Sequence, residues 1–145
     1  MANILHRIEI NERPEKIYPS FATLDGLRKW WTDEVSASGE IKTGTVIHFR
    51  FGVKGSTDMK VIKAETNKRL EWECVGGGTE WLGTKFFFDL TEENNKTVLR
   101  FGQTGWKEAT DFYMHCNCRW AYYLLSMKSY VEKGKGTPFP EAIDM

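Results

Sequence analysis

The hydrophobic pattern of this chain changes period at Gly105, and this change constrains the fold more than any other feature. Between Val35 and Thr104, apolar and polar residues alternate in short runs separated by turn residues, as is typical of β-strands. Residues 108–132 contain no Gly or Pro, and their apolar positions recur every three or four residues, as on one face of a helix. Such a helix would be roughly 37 Å long. The order predicts an antiparallel sheet followed by one long helix that covers its apolar face.

A strand and two short helices are predicted before the main run of strands. Residues 4–10 alternate as in a half-buried strand. Pro19 is expected to kink the following helix or to break it in two. The second piece is predicted at about residues 25–31, with Thr23 or Asp25 as its cap. The meander is expected to contain about five or six strands, including residues 45–51, 57–64, 69–75, 81–90 and 97–103.

Length and charge exclude several classes of protein. The 145 residues suit one domain over residues 1–145, which we expect to have an α+β fold with a curved antiparallel sheet wrapped around the C-terminal helix. Twenty basic and twenty acidic side chains give zero net charge, which argues against a general nucleic-acid binder. No apolar run approaches the roughly 20 residues of a membrane span, and the first residues alternate unlike a signal peptide. We therefore expect a soluble, cytoplasmic protein.

No metal or cofactor is predicted from the cysteines. Cys74, Cys116 and Cys118 are an odd number, so they do not form a disulfide framework. In a helix, Cys116 and Cys118 point about 200° apart, which disfavours a bridge between them. His115 alone does not complete a tetrahedral site with them. Reduced cysteines that pack in the interior are the expectation.

No established catalytic motif is present, so no catalytic residue is predicted. Gly76, Gly77 and Gly78 lack the Lys and Ser or Thr that follow in a phosphate-binding loop. The three histidines are spread over separate elements: His48 is expected in solvent, whereas His6 shares a strand face with apolar residues. The sequence therefore points to binding more readily than to acid–base chemistry.

Aromatic residues make up 14% of the chain, and so many rings need either a large buried volume or a cavity that they line. Wrapping the sheet around the helix should turn most of these rings inward. An apolar hollow with few polar groups is a typical small-molecule site. Trp81 is a further candidate to cradle a planar ligand. The residues predicted to line the cavity are Trp30, Trp31, Phe49, Phe51, Trp72, Phe86, Phe88, Phe101, Gln103, Tyr113, Cys116, Arg119, Trp120 and Tyr123.

Three polar members of this set leave alternatives open. Gln103, Tyr113 and Arg119 each need a hydrogen-bond partner if buried, and that partner can be a ligand, a backbone group or Glu80. Arg119 can equally extend to solvent. Plain core packing is at least as good an explanation for the tryptophans.

A second helical stripe lies on the far side of the predicted helix. Met114, Cys118, Ala121 and Leu125 follow spacings of four, three and four. An exposed apolar stripe of this kind can mark a homodimer or partner surface. The alternative is that the tail at residues 138–140, which is expected to pack back on the body, covers it.

Three segments carry a family resemblance: Leu-Arg-Lys-Trp-Trp-Thr at residues 27–32, Gln-Thr-Gly-Trp at residues 103–106, and Lys-Gly-Lys-Gly at residues 133–136. They resemble the START-like (SRPBCC) superfamily, and within it the branch of heat-shock-protein ATPase activator homologues and polyketide-cyclase-like proteins. The resemblance implies a helix-grip fold with an apolar cavity between sheet and helix. This chain has Gln103 where many relatives have His, which weakens any mechanism that needs an imidazole there.

The favoured function is binding of a small hydrophobic molecule in that cavity, without established catalysis. The resemblance also implies two alternatives. One is a chaperone partner whose ATPase the protein stimulates. The other is a polyketide-cyclase-like enzyme in which Gln103, Tyr113 and Arg119 orient the substrate.

Overall fold

The computed structural model describes residues 1–78 and 80–142, and its strands form one seven-stranded antiparallel sheet. The strand order β1-β7-β6-β5-β4-β3-β2 is a meander whose last strand pairs with the first. The predicted α+β helix-grip fold is confirmed. In chain order the elements are β1 (Ala2–Ile10), α1 (Pro14–Ala22), α2 (Leu24–Arg28), β2 (Glu34–Ala37), β3 (Val46–Arg50), a 3-10 turn (Gly52–Lys54), β4 (Ser56–Glu65), β5 (Arg69–Gly76), β6 (Lys85–Glu93), β7 (Lys96–Trp106) and α3 (Asp111–Lys133).

The inner face of the sheet carries a continuous layer of rings. The five rings of this layer, here called the ring layer, are each at most 1% exposed. The centroids of neighbouring rings lie 5.0–6.4 Å apart. Helix α3 crosses the layer and buries Trp120 against it, with centroids 4.5 Å apart at Phe101. Burial of these large apolar side chains is the main source of stability of the fold. The ring layer consists of Phe49, Trp72, Phe86, Phe88 and Phe101.

The two short helices are present, but they are separated at Thr23 and not at Pro19. Pro19 lies inside α1, where a nine-residue helix gives up only the hydrogen bond that a proline nitrogen cannot donate. The Thr23 hydroxyl accepts from the Gly26 amide at 3.0 Å and donates to the Pro19 carbonyl at 2.7 Å. Thr23 therefore caps α2 and closes the end of α1 at once.

The strand predicted to begin at Trp81 begins at Lys85 instead. Residues 81–84 form a turn in which the Thr84 amide donates to the Trp81 carbonyl at 2.8 Å. Gly83 has φ +85° within this turn, a conformation that favours glycine. The long helix likewise starts later than predicted, because the Thr110 hydroxyl accepts from the Tyr113 amide and caps it.

The outer edge of β1 is covered by side chains of α3. The Tyr113 hydroxyl donates to the Asn3 carbonyl at 2.6 Å, and the Lys128 ammonium donates to the Glu9 carbonyl. Glu132 accepts from the Asn11 amide at 2.7 Å, just beyond the strand. These contacts occupy backbone groups that an edge strand would otherwise leave open.

The predicted return of the tail to the body is confirmed at the opposite edge. The Phe139 amide donates to the Trp31 carbonyl at 2.8 Å, and the Asp33 amide donates to the Phe139 carbonyl at 3.2 Å. Arg28 also donates to the Val35 carbonyl of β2 at 3.1 Å. Among the residues described, no helix combines the length and hydrophobicity needed to cross a membrane.

We expect Gly26→Ala to lower the free energy of unfolding by about 3 kcal/mol. A Cβ at Gly26 would lie 2.2 Å from the Pro19 carbonyl oxygen and 2.6 Å from the Ser20 Cα, so the backbone of α1 would have to move. Urea denaturation followed by circular dichroism measures the loss. Gly39→Ala is the matched control, because nothing lies within 4 Å of its Cβ position. Equal stability of the two variants would contradict this account of the α1–α2 contact.

Candidate functional site

An open groove of about 410 Å³ lies beside the N-terminal half of α3. Four other segments complete it: the stretch between α2 and β2 at Trp31, the β3–β4 hairpin around residues 51–57, the β5–β6 loop at Gly77, Gly78 and Trp81, and the tail at Phe139. Lys54, Gly55 and Ser56 are exposed on the hairpin, so the groove opens to solvent on that side. The groove is therefore built from segments far apart in the sequence.

Aromatic rings form the walls of the groove. Trp31 lies between Phe51 and Trp120, with ring centroids 5.4 and 4.9 Å away. Trp81 stacks on Trp120 at 6.1 Å with an interplanar angle of 22°. Phe139 meets Phe51 edge-on at 5.8 Å. These rings offer flat apolar surfaces to a planar or aliphatic molecule.

A chain of four hydrogen bonds that begins and ends on α3, here called the hydrogen-bond circuit, connects the two stacked indoles. The Trp120 indole donates to the Gln103 side-chain oxygen at 3.0 Å, and the Gln103 amide donates to the Thr84 hydroxyl at 3.0 Å. Thr84 donates to the Trp81 carbonyl at 2.7 Å, and the Trp81 indole donates to the Cys116 sulfur at 3.4 Å. An indole is a donor only, so the carbonyl side of the Gln103 amide must face Trp120. The circuit leaves α3 at Trp120 and returns to it one turn away at Cys116.

Polar side chains are few and lie around the apolar walls. Arg119 is half-buried and donates to the Tyr123 hydroxyl at 2.7 Å. The buried Thr57 hydroxyl lies 3.3 Å from the Cys74 sulfur. Lys54 and His115 are exposed at the groove. The groove therefore combines an apolar interior with hydrogen-bond donors.

Two acidic groups in the groove stay protonated near neutral pH. Burial raises the pKa of the Cys116 thiol from 9.0 to about 11, against opposing contributions from the Trp81 hydrogen bond and the Arg119 charge. Burial likewise raises the pKa of Tyr123, although Arg119 opposes the shift. A neutral thiol is a weak nucleophile, so Cys116 contributes packing and polarity to the groove and no thiolate.

Six of the fourteen residues predicted to line a cavity lie at the groove. The structure brings together two aromatic residues from outside the helix and four residues of α3. These six are Trp31, Phe51, Cys116, Arg119, Trp120 and Tyr123.

The other eight predicted residues lie away from the groove. The ring layer accounts for five of them, because those rings pack on one another and none of them lines the groove. Trp30 donates to the Ser20 carbonyl at 2.7 Å, and Tyr113 donates to Asn3 at the edge of β1. Gln103 is fully buried in the hydrogen-bond circuit. The eight are Trp30, Phe49, Trp72, Phe86, Phe88, Phe101, Gln103 and Tyr113.

Several groove residues were not on the predicted list. Thr57, His115 and Phe139 belong to three different elements, and no local pattern connects them. The run Gly76-Gly77-Gly78 was the sequence signal for this wall of the groove. In the structure Gly77 has φ +93°, and a Cβ there would lie 2.2 Å from the Ser56 carbonyl oxygen. Glycine at this position lets the β5–β6 loop approach β4 and form one wall.

Comparison with known proteins identifies the family. The family model described as "Activator of Hsp90 ATPase homolog 1-like protein" matches residues 11–132. The chain belongs to this family. No match was found among curated proteins.

Solved structures agree with the family assignment. The Aha1 dimer from Colwellia psychrerythraea is 46% identical, with a TM-score of 0.86 over 94% of this chain and 100% of that one. Protein SSP2350 from Staphylococcus saprophyticus is 17% identical, with a TM-score of 0.75 over 93% of this chain and 95% of that one. DynU16, from the dynemicin biosynthetic locus, is 17% identical, with a TM-score of 0.77 over 98% of this chain and 50% of that one. The last two likenesses concern the fold alone.

We expect Cys118 to be the only one of the three thiols that is labelled rapidly by iodoacetamide at about pH 8 in the native protein at dilutions where it is monomeric. Cys118 is exposed, whereas Cys74 and Cys116 are buried. Mass spectrometry of peptides locates the label. Rapid labelling of Cys116 would contradict its raised pKa and burial.

The thiol of Cys116 should make the free energy of unfolding depend on pH in the alkaline range. In the unfolded chain Cys116 ionises near its ordinary pKa of 9.0, whereas in the folded chain it ionises near 11. The free energy of unfolding should therefore fall as pH rises from about 9 to about 11. The decline should be shallower in Cys116→Ala, which removes this thiol and leaves the other titrating groups in place.

Proposed function

We propose that this protein binds a small hydrophobic, aromatic-bearing molecule in the groove beside α3. The observation that carries the proposal is the contrast between two sets of rings. No ring of the ring layer lines the groove, whereas rings of five separate segments surround about 410 Å³ of open space. Cavities of this size, with apolar walls and a few polar groups, are typical of small-molecule sites.

The chemistry of the groove favours binding without covalent catalysis. Cys116 and Tyr123 are protonated near neutral pH because burial raises the pKa of each. Arg119 and Thr57 supply donors that can orient a ligand. The hydrogen-bond circuit holds Trp81 and Trp120 in place before any ligand arrives, which reduces the entropy lost on binding. We extend the proposal to a single START-like domain over residues 1–145 that acts in the cytoplasm.

We expect N-phenylnaphthylamine, a neutral dye that fluoresces in apolar surroundings, to bind the groove and to quench tryptophan emission. Trp81→Ala should weaken binding about tenfold or more, because the dye loses a wall of the groove. Dye fluorescence and tryptophan quenching, followed in one titration, measure the affinity.

Phe87→Ala is the matched control for this experiment. Phe87 is also a half-buried ring, but it lies on the other face of the sheet, with Arg69 4.6 Å from its centroid. The control should leave dye affinity unchanged. Equal loss of affinity in both variants, or no binding to the wild type, would remove the basis of the proposal.

A homodimer is the second candidate, and the outer face of α3 favours it. Met114 and Leu125 are each 55% exposed there, and Cys118 is exposed between them. The relative from Colwellia psychrerythraea, at 46% identity, is named as a dimer. Exposed apolar side chains aligned along one helix suit a self-complementary interface.

We expect Leu125→Asp to shift the protein to monomers in sedimentation velocity, since a carboxylate would be buried in the interface. Leu5→Asp is the control, because Leu5 is 62% exposed on β1, away from this stripe. A wild-type protein that sediments as a monomer at all concentrations would contradict the dimer.

Two functions that the family resemblance implies, a chaperone partner and a cyclase-like enzyme, stay predictions. The family description names an activator of a chaperone ATPase, and this supports a chaperone partner for the present chain. For the cyclase-like alternative, Arg119 lies at the groove, whereas Gln103 and Tyr113 are engaged with protein groups elsewhere. A substrate-orienting role is therefore better supported for Arg119 than for the other two.

A further inference from the structure

The groove is elongated along α3, and its two ends differ. The helix residues that line it extend from Phe112 to Tyr123, which is a rise of roughly 16 Å along the helix axis. At the N-terminal end of this span, Phe112 and His115 are exposed, so the groove is open there. Towards the other end, Trp31 packs on Trp120 with ring centroids 4.9 Å apart, and both rings are buried.

The tail lies across this second end of the groove. Residues 137–139, here called the tail strap, begin on α3, where the Thr137 amide donates to the Ser126 hydroxyl at 2.8 Å. The strap ends at Phe139, whose amide donates to the Trp31 carbonyl at 2.8 Å. These bonds hold the strap between α3 and the stretch that follows α2.

Close backbone contact fixes the path of the chain that leads into the strap. Gly136 is buried beside α3. A Cβ at this position would lie 2.9 Å from the Ser126 carbonyl oxygen, and closer still to the Lys29 carbonyl oxygen. Only a residue without a side chain fits there, so the strap is packed in place and does not lie loosely on the surface.

The Phe139 ring connects the strap to the β3–β4 hairpin. It meets the Phe51 ring edge-on, with centroids 5.8 Å apart. It also lies over Gly52, where a Cβ would be 3.4 Å from the ring. Phe139 is half-buried and lines the groove. A single ring therefore bridges two walls and closes the groove at this end.

We infer that the ligand is an elongated molecule that lies along α3, and that Phe139 limits how far it extends. This inference rests on the proposed function and adds the shape of the ligand and a residue that determines specificity. Each methylene that lies between the aromatic walls leaves water and adds affinity. Once the ligand reaches Phe139, any further methylene has to lie outside the open end, in water, where it adds nothing.

A series of para-alkylphenols, from ethylphenol to decylphenol, tests the inference. Its members carry one aromatic ring, are neutral near neutral pH and differ only in chain length. Displacement of N-phenylnaphthylamine from the 145-residue chain measures each affinity. In the wild type the affinity should rise about fourfold with each methylene and then stop rising at one chain length, here called the length limit.

Phe139→Ala should move the length limit to longer chains by at least two methylenes, because it removes the ring that closes the groove. Phe139→Leu keeps an apolar side chain against the hairpin and should move the limit less. It carries the same test if Phe139→Ala does not fold. Phe112→Ala is the matched control, since Phe112 is a partly exposed ring of the groove at the open end. The control should not move the limit to longer chains.

The outcomes separate this inference from the proposal on which it rests. Dye binding with the same length limit in the wild type, Phe139→Ala and Phe139→Leu would overturn the inference and leave hydrophobic binding intact. A shift to longer chains in Phe112→Ala as large as that in Phe139→Ala, or affinity that rises without limit in the wild type, would do the same. Failure of the dye and of every phenol to bind would overturn the inference together with the proposed function.

Discussion

The hydrogen-bond circuit between α3 and the sheet is the interaction on which the rest of the structure depends. Its four bonds satisfy two indole N–H groups that would each cost about 1–3 kcal/mol if buried without a partner. Gln103 is central to it, because one amide accepts from Trp120 and donates to Thr84. The circuit sets the height of the helix over the sheet and fixes the β5–β6 loop at the same time. It also orients the indoles of Trp81 and Trp120 at the groove, in addition to the ring contacts of each.

The aromatic residues form a packed layer between sheet and helix and, beside it, the walls of the groove. The ring layer fills the space between sheet and helix, where close contacts between rings gain dispersion energy that a void would lose. At one end of α3 the layer stops, because the β3–β4 hairpin and the β5–β6 loop stand apart from the helix and leave the groove. Trp31 and Trp120 belong to both groups, because each is 2% exposed, packs on the ring layer and lines the groove.

The sequence predicted the elements well and the groove only in part. Alternation located the strands, but it could not distinguish Phe49 from Phe51, which it placed on one strand face two residues apart although β3 ends at Arg50. Phe49 is 1% exposed in the core, whereas Phe51 is half-buried at the groove, a difference set by the hairpin that follows. Alternation placed Trp81 in a strand. In the structure it lies in a turn that depends on a positive φ at Gly83, and alternation does not report such an angle. The partners of Gln103 come from a loop and a helix, and tertiary contacts of that kind have no local signal.

The two edges of the sheet also bear on how this chain behaves at high concentration. Tyr113 and Lys128 occupy carbonyls along β1, and Phe139 pairs with the backbone beside the short strand β2. Open strand edges are the templates on which other chains add and grow into cross-β fibrils. A protein that loses its last helical turns or its tail would keep most of its sheet yet uncover these templates. In the folded chain the C-terminal segments therefore keep these backbone groups from pairing with a second chain.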